Sequence, residues 1–338
     1  MRLYGAIDLH SNNSVMVLLD EQDKIVYQKR LPNDLKTICE QLAPHREQIE
    51  GMAVESTFNW YWLVDGLMEA GYQVHLVNTT AVQQYNGLKF TDDEHDARWL
   101  AHLLRLGILP EGYIYPKEAR AVRDLLRKRA QLVRQRTAQI LSIQNLFSRN
   151  TGQSISGKVV KQLEGNELDK IIQDPNRTLA ITSNVAVMRC LDEQIDHLEK
   201  VIKQQTKLRP EFKPLLSVDG IGTILGLTIM LETGDINRFS EVGHYASYCR
   251  CVDSKKMSNF KKKGEGNRKN GNKYLAWAYV EAAHFAVVAN ERIRKFFQRK
   301  AAKKNKIVAI KAVAHKLARA CYHVMKNQTE FDVTKAFA

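Results

Sequence analysis

Four acidic residues stand where their type and setting suit metal-assisted chemistry. Asp8 closes the apolar run Leu3-Tyr-Gly-Ala-Ile-Asp8, and Glu55 closes a second, Met52-Ala-Val-Glu55. Asp93 and Asp96 open a predicted helix in Thr91-Asp-Asp-Glu-His-Asp-Ala97, where their three-residue spacing puts them on one face. Converging carboxylates repel one another unless a cation sits among them. Hard oxygen ligands suit Mg²⁺ or Mn²⁺, which also take phosphate oxygens from a substrate. Two such ions can clamp the attacking and leaving oxygens of a phosphodiester. A second centre lies far along the chain. The stretch Lys255–Lys273 holds eight basic residues, one acid and three glycines, without helical periodicity, and carries the hydroxyl of Ser258. Charge this dense repels itself unless a phosphate backbone lies against it.

The elements that must position these groups can be read from periodicity. Leu3–Leu9, Ser14–Leu19 and Lys24–Lys29 are β-rich runs separated by turn residues. Asp34–Leu42 is predicted helical, Gly51–Val54 a short buried strand, Trp60–Ala70 a helix, Gln73–Val77 a strand and Asp93–Arg105 an amphipathic helix. Three meandering strands followed by alternating helices and strands is the RNase H-like order, in which the first strand lies centrally beside the fourth. Trp60 and Trp62 read as core, with base stacking the other use of such rings. Pro110-Glu-Gly-Tyr-Ile-Tyr-Pro116 breaks the pattern. The expected organisation is a metal-binding α/β domain over 1–112, a helical coiled-coil spacer over 113–208 and a mainly helical domain over 209–338.

In the spacer, Leu125, Leu132 and Leu146 form one seven-spaced column, interrupted by Gln139, and Leu126, Val133, Ile140 and Phe147 form another. Met188, Leu191, Ile195, Leu198 and Ile202 follow at alternating spacings of three and four. The two helices pack on each other or on another protomer. Arg120, Arg123, Arg127, Lys128, Arg129, Arg134 and Arg136 are expected on the exposed face of the first, for nucleic acid or for solvent. In the last domain, Leu216-Ser-Val-Asp-Gly-Ile-Gly-Thr-Ile-Leu-Gly226 has the form of a helix-hairpin-helix turn. Gly220 and Gly222 there admit close backbone approach, to a phosphate or simply within a tight turn. An apolar helix over Tyr274–Ala289 and a basic amphipathic helix, or pair, over Arg292–Lys326 complete the chain.

Net charge is +14, but it is divided. Residues 1–112 carry 9 basic and 16 acidic side chains, leaving 42 and 21 in the remainder. An acidic module joined to a strongly basic one fits metal in the first and a polyanion on the second. Five scattered cysteines lack zinc or disulfide spacing, and read as reduced thiols. No signal peptide or membrane-length apolar run is seen, so the expected location is the cytoplasm, with the nucleoid as the place of action.

In this order, the acidic tetrad, the heptad helices, the Gly-Ile-Gly turn and Ser-Asn-Phe-Lys-Lys-Lys-Gly…Lys-Asn-Gly-Asn-Lys-Tyr-Leu resemble the DEDD transposases of the insertion-sequence-110 family. The resemblance spans essentially the full length. It implies a RuvC-like first domain and a transposase domain with a serine nucleophile. It also implies recombination of donor and target DNA guided by a structured bridge RNA. Asp8, Glu55, Asp93 and Asp96 match the acids, with Asp92 an extra neighbour, and Ser258 matches the serine. Phe260 replaces a small residue, and Ser254 is the alternative nucleophile. With metal and serine on separate domains, a site shared between protomers is expected, in a dimer that becomes a tetramer on synapsis. Lys255, Lys256, Lys261, Lys262, Lys263, Arg268, Lys269 and Lys273 are expected to grip the backbone. The competing readings are a RuvC-like nuclease in which water attacks, and a nucleic-acid-binding scaffold with an inert tetrad.

Overall fold

Apolar side chains on both faces of one strand require cover on both sides, and β1 (Leu3–Leu9) is such a strand, with all but one residue buried. In the computed structural model, which describes residues 1–82, 92–163, 174–206, 208–254, 256–265 and 270–338, β1 lies at the centre of a five-stranded sheet. β2 (Asn13–Leu19) pairs antiparallel with β1, and β3 (Ile25–Pro32) pairs antiparallel with β2. On the other side β4 (Ile49–Glu55) runs parallel to β1, and β5 (Val74–Val77) parallel to β4. The order is therefore β3-β2-β1-β4-β5, with the first strand beside the fourth as the sequence pattern predicts.

Alternation assigns the two faces. Leu3, Ile7, Leu9, Met16, Leu18, Met52 and Val54 point to one side, where α1 (Leu35–Leu42) and α2 (Tyr61–Glu69) supply Ile38, Leu42, Leu63, Val64 and Leu67. Trp60 is buried in this layer and Trp62 packs on it. Ala6, Val15, Val17, Leu19, Ala53 and Val77 point to the other side, against Ala97, Leu100 and Ala101 of α3 (Asp93–Arg105).

The remaining elements are helical apart from one hairpin. α4 (Lys117–Thr151) and α6 (Pro175–Gln205) are joined through α5 (Gly157–Val160). Asp174 caps α6 by accepting from the amides of Asn176 and Arg177, and Pro175 fits the first helical position. α4 and α6 run antiparallel against each other. Arg129 pairs with Glu199 at 2.7 Å, Arg136 pairs with Asp192, and Asn184 donates to Ser142 Oγ at 3.2 Å. Ile143 and Phe147 meet Ile181, Val185 and Met188 between them. Of the heptad columns, Phe147 and Met188, with Ile140 and Leu146 beside them, pack within the chain.

The same packing corrects the expected basic face of α4. Arg120 and Arg123 are buried, and Arg127, Arg129 and Arg136 are half-buried in ion pairs, leaving Lys128 and Arg134 exposed. Acids brought in from α6 and α8 (Thr223–Thr233) take up this charge.

α7 (Phe212–Leu215), α8, α9 (Val242–Tyr248), α10 (Lys273–Ala289), α11 (Glu291–Lys303), α12 (Lys306–Asn327) and α13 (Val333–Ala336) share one apolar core. Leu275, Tyr279, Val313, Leu317 and Tyr245 are among its buried members. Between α9 and α10, β6 (Lys256–Ser258) and β7 (Lys261–Gly264) form a two-stranded hairpin where the sequence suggests only an aperiodic loop. The chain divides into two compact units, Met1–Lys117 with Ser258–Asn270, and Glu118–Met257 with Gly271–Ala338. Among the described residues no helix is long and apolar enough to cross a membrane.

Candidate active site

Strand register decides where the first two acids point. Ala6 lies beside Ala53 and Ile7 beside Val54, so Asp8 and Glu55 continue the pairing at the strand ends. Each is two residues past an alanine of the α3-facing layer, and so faces the start of α3. Glu55 and Asp8 come close enough to share a hydrogen bond when one of the two carboxyls is protonated. Burial, the bond and charge of Asp8, and the charge of Asp96 push Glu55 up to about 8.

α3 brings in the other two. Asp92, the ambiguous neighbour, is the N-cap, and its side chain accepts from His95 N at 2.8 Å. Capping frees Asp93 to turn toward the sheet. Asp93 Oδ2 accepts from Arg30 Nη2 at 2.7 Å, and this bond holds its carboxyl below the usual range. On the same edge Gln28 donates to Glu94 at 2.5 Å, so β3 steadies the first turn of α3 from two positions.

One site residue is absent from the sequence reading. His10 Nε2 stands 3.3 Å from Asp8 Oδ2 and 3.3 Å from Asp93 Oδ2, buried and without hydrogen-bond alignment to either. Ligand atoms of Asp8, His10 and Asp93 all lie within 4.8 Å of one another. Its signal was its place two residues after Asp8. The donor set fits a divalent cation, since it gathers two carboxylates and a ring nitrogen, although neither Glu55 nor Asp96 belongs to this close group.

Ser258 closes β6 and is exposed, whereas Ser254 is half-buried before the strand. Asn259 and Phe260, at φ 48° and 59°, form the two-residue turn that follows. Left-handed backbone at both positions is what a tight hairpin requires. Phe260 meets that requirement against its side-chain preference and is 98% exposed. Lys256, Lys261, Lys263 and Lys273 are exposed around this segment. Lys255, Arg268 and Lys269 lie outside the described residues, as does the side chain of Lys262.

The root of the hairpin is held firmly. Gly271, at φ 88°, packs so closely that a Cβ would lie 2.5 Å from the Tyr248 carbonyl. Arg250 donates to the Gly271 carbonyl at 2.9 Å, and Asn272 N donates to Tyr248 O at 2.6 Å. Asn272 Nδ2 donates to Glu232 Oε2 at 2.8 Å, and the same carboxylate receives Arg123 at 3.1 Å and Arg127 at 2.6 Å. Burial raises Glu232, but the Arg127 bond, the two arginine charges and Asn272 outweigh it and leave the carboxyl below its ordinary value.

The two glycines of the Gly-Ile-Gly turn differ. Gly220, at φ 86°, abuts α10, where a Cβ would fall 2.2 Å from the Ala282 carbonyl. Gly222 begins α8 and has open space at its Cβ position. It lines a groove of about 940 Å³ with Arg129, Thr223, Trp277 and Phe285.

Residues 6–149 match the IS110 DEDD transposase family model, and residues 213–298 match a second model described as transposase of the IS116/IS110/IS902 family. The two matches fall on the acidic α/β segment with α4 and on the helical segment that contains the hairpin. No curated protein matches the chain.

Proposed function

The chain belongs to the IS110 family of DEDD transposases, and on that premise we propose that it cuts and rejoins donor and target DNA through a covalent link to Ser258. The observation that carries this reading is the Asp8–Glu55 pair at the ends of adjacent strands, with Asp93 and His10 beside it and Asp96 within electrostatic reach. On this reading the sheet is RNase H-like, and the four acids are its metal ligands. A bound Mg²⁺ or Mn²⁺ there supplies positive charge to a phosphodiester undergoing substitution.

The chain's own groups do the rest. The Ser258 oxygen forms a bond to phosphorus as the bond from phosphorus to the 3′ oxygen breaks. The hydroxyl proton leaves as the 3′ oxygen gains one, so a 5′-phosphoserine and a free 3′ hydroxyl result. Rejoining reverses the step on an exchanged end. A free serine hydroxyl is a weak nucleophile, and exposed lysines on either side of Ser258 favour its ionised form and the charge building on phosphate. Arg30 holds Asp93 in place, with His10 Nε2 nearby at 3.3 Å. Guidance by a bridge RNA, and assembly into a dimer or tetramer, complete the proposal and rest on the family alone.

Trapping decides the chemistry. Denaturing gels of protein with labelled element-end DNA, guide RNA and Mg²⁺ should show an adduct that Ser258→Ala abolishes and Ser254→Ala keeps. Cleavage with no adduct would establish the water-attacking nuclease instead. Mixing Asp8→Ala with Ser258→Ala protein tests sharing between protomers: restored recombination means a shared site, and no rescue means that each chain supplies both centres.

A further inference from the structure

From Arg292 to Thr329 the chain has twelve lysines and arginines and not one aspartate or glutamate. These residues form α11 and α12, which pack against each other and bury Ile293, Phe296, Ile310, Val313 and Leu317 in the core. Some of the cations are satisfied inside the fold. Arg294 donates to the Val288 carbonyl, Lys295 pairs with Glu291, and Lys316 donates to the Ala336 carbonyl.

The cations at the α11–α12 turn are different. Arg299, Lys300, Lys303, Lys304 and Lys306 are all exposed, and no ion pair is formed by them among the described residues. The dipole at the end of α11 suits Lys300 and Lys303, but folding alone does not favour the cluster as a whole. Arg299 and Lys303, and Lys300 and Lys304, are like charges four residues apart, a spacing at which they repel. The start of α12 is a positive dipole end that favours an acid, and Lys306 occupies its first position behind the Asn305 cap. Self-repulsion of this kind is relieved by an anion that the chain does not itself provide.

We infer that the α11–α12 turn is a second nucleic-acid surface, separate from the serine hairpin, and that it takes the phosphate backbone of double-stranded DNA. The absence of exposed aromatics selects duplex over single strand: Phe296 and Tyr322 are buried and Phe297 is half-buried. Single strands are gripped by stacking bases on exposed rings. Lys300 lies over the buried Phe296 ring, 5.7 Å from its centroid, so that ring is not offered to a base, and a cluster of cations without exposed rings reads backbone charge and not sequence. The inference rests on the DNA substrate of the proposal above and not on serine chemistry.

The test is binding by the full-length Ser258→Ala protein, which a failed adduct experiment would leave untouched. Anisotropy titrations with duplex DNA at several salt concentrations should give a log–log slope that falls by about 0.9 for each lost phosphate contact. Replacing Arg299, Lys300, Lys303, Lys304 and Lys306 together by glutamine should lower the slope by roughly 3 or more and affinity at least tenfold. Lys306→Glu separates this role from a structural one, because it should raise the melting temperature while weakening duplex binding. Should the fivefold variant fail to fold, Arg299→Gln and Lys306→Glu singly decide on the same slope. An unchanged slope overturns the inference. Loss confined to a structured RNA probe, with duplex DNA binding intact, overturns it as well.

Discussion

Two carboxylates set in opposite surroundings show how this molecule uses charge. Glu232 is 1% exposed, yet it stays below its ordinary pKa because Arg127, Arg123 and Asn272 bind it. Glu55 is less enclosed but is driven to about 8, because burial is joined by the neighbouring carboxyls of Asp8 and Asp96 and no cation offsets them. One has its counter-charge inside the chain and serves the fold. The other lacks it and is poised for something that arrives from outside. The cations repeat the contrast: the arginines of α4 are bound by Glu232, Glu199 and Asp192, while those of the α11–α12 turn are not.

Removing Glu232 should have the largest effect. Glu232→Gln leaves the buried Arg123 and the half-buried Arg127 without their anion, at a cost of about 3–5 kcal/mol in urea denaturation at pH 7. A loss below about 1 kcal/mol would collapse the distinction between the two carboxylates. Because the folded pKa is depressed, this stabilisation is present above the unfolded value and fades as pH falls through the folded one. The variant should therefore show a flatter acid limb.

Glu55→Gln should act in the other direction and in another window. A raised folded pKa gives stability that is full below the unfolded value and lost as pH climbs toward about 8. Without metal, the variant should be more stable than the parent at pH 8, on the order of 1–2 kcal/mol after allowance for solvent screening. At pH 4 the two should melt alike. Adding Mg²⁺ at pH 8 should raise the parent's melting temperature and leave the variant's nearly unmoved. Equal metal responses would remove Glu55 from the ligand set.

Smaller effects sharpen the cationic half. Arg136→Ala breaks a half-buried pair with Asp192, and should cost no more than about 1 kcal/mol. Phe260→Gly puts glycine in a left-handed position, which should stabilise the turn by a few tenths to about 1 kcal/mol. A hydrogen-exchange comparison of the hairpin amides would read it.

What the sequence disclosed depended on whether a residue's partner lay near it in the chain. Strands β1, β2 and β4 announce themselves as apolar runs, and their register alone brings Asp8 beside Glu55. α3 and its two carboxylates follow from helical spacing. Asp92 and Asp93 could not be told apart by spacing, and capping geometry separates them. The ion pairs of α4 were illegible because Glu232 is more than a hundred residues away from Arg127, although a lone acid within the apolar Thr223–Thr233 helix hinted that it had a partner. The hairpin escaped notice because its strands are lysine-rich and neither face is buried, so no alternation marks them.

The carboxylate of Glu232 has a mechanical corollary. Asn272 ends the stretch that carries the serine, Arg123 and Arg127 lie in the opening turns of α4, and all three meet at that single group. A rod of 35 residues is roughly 50 Å long, so a swing at its far tip is geared down to a slight rotation at this pivot. A tilt of the rod would thereby be felt at the root of the segment that carries Ser258.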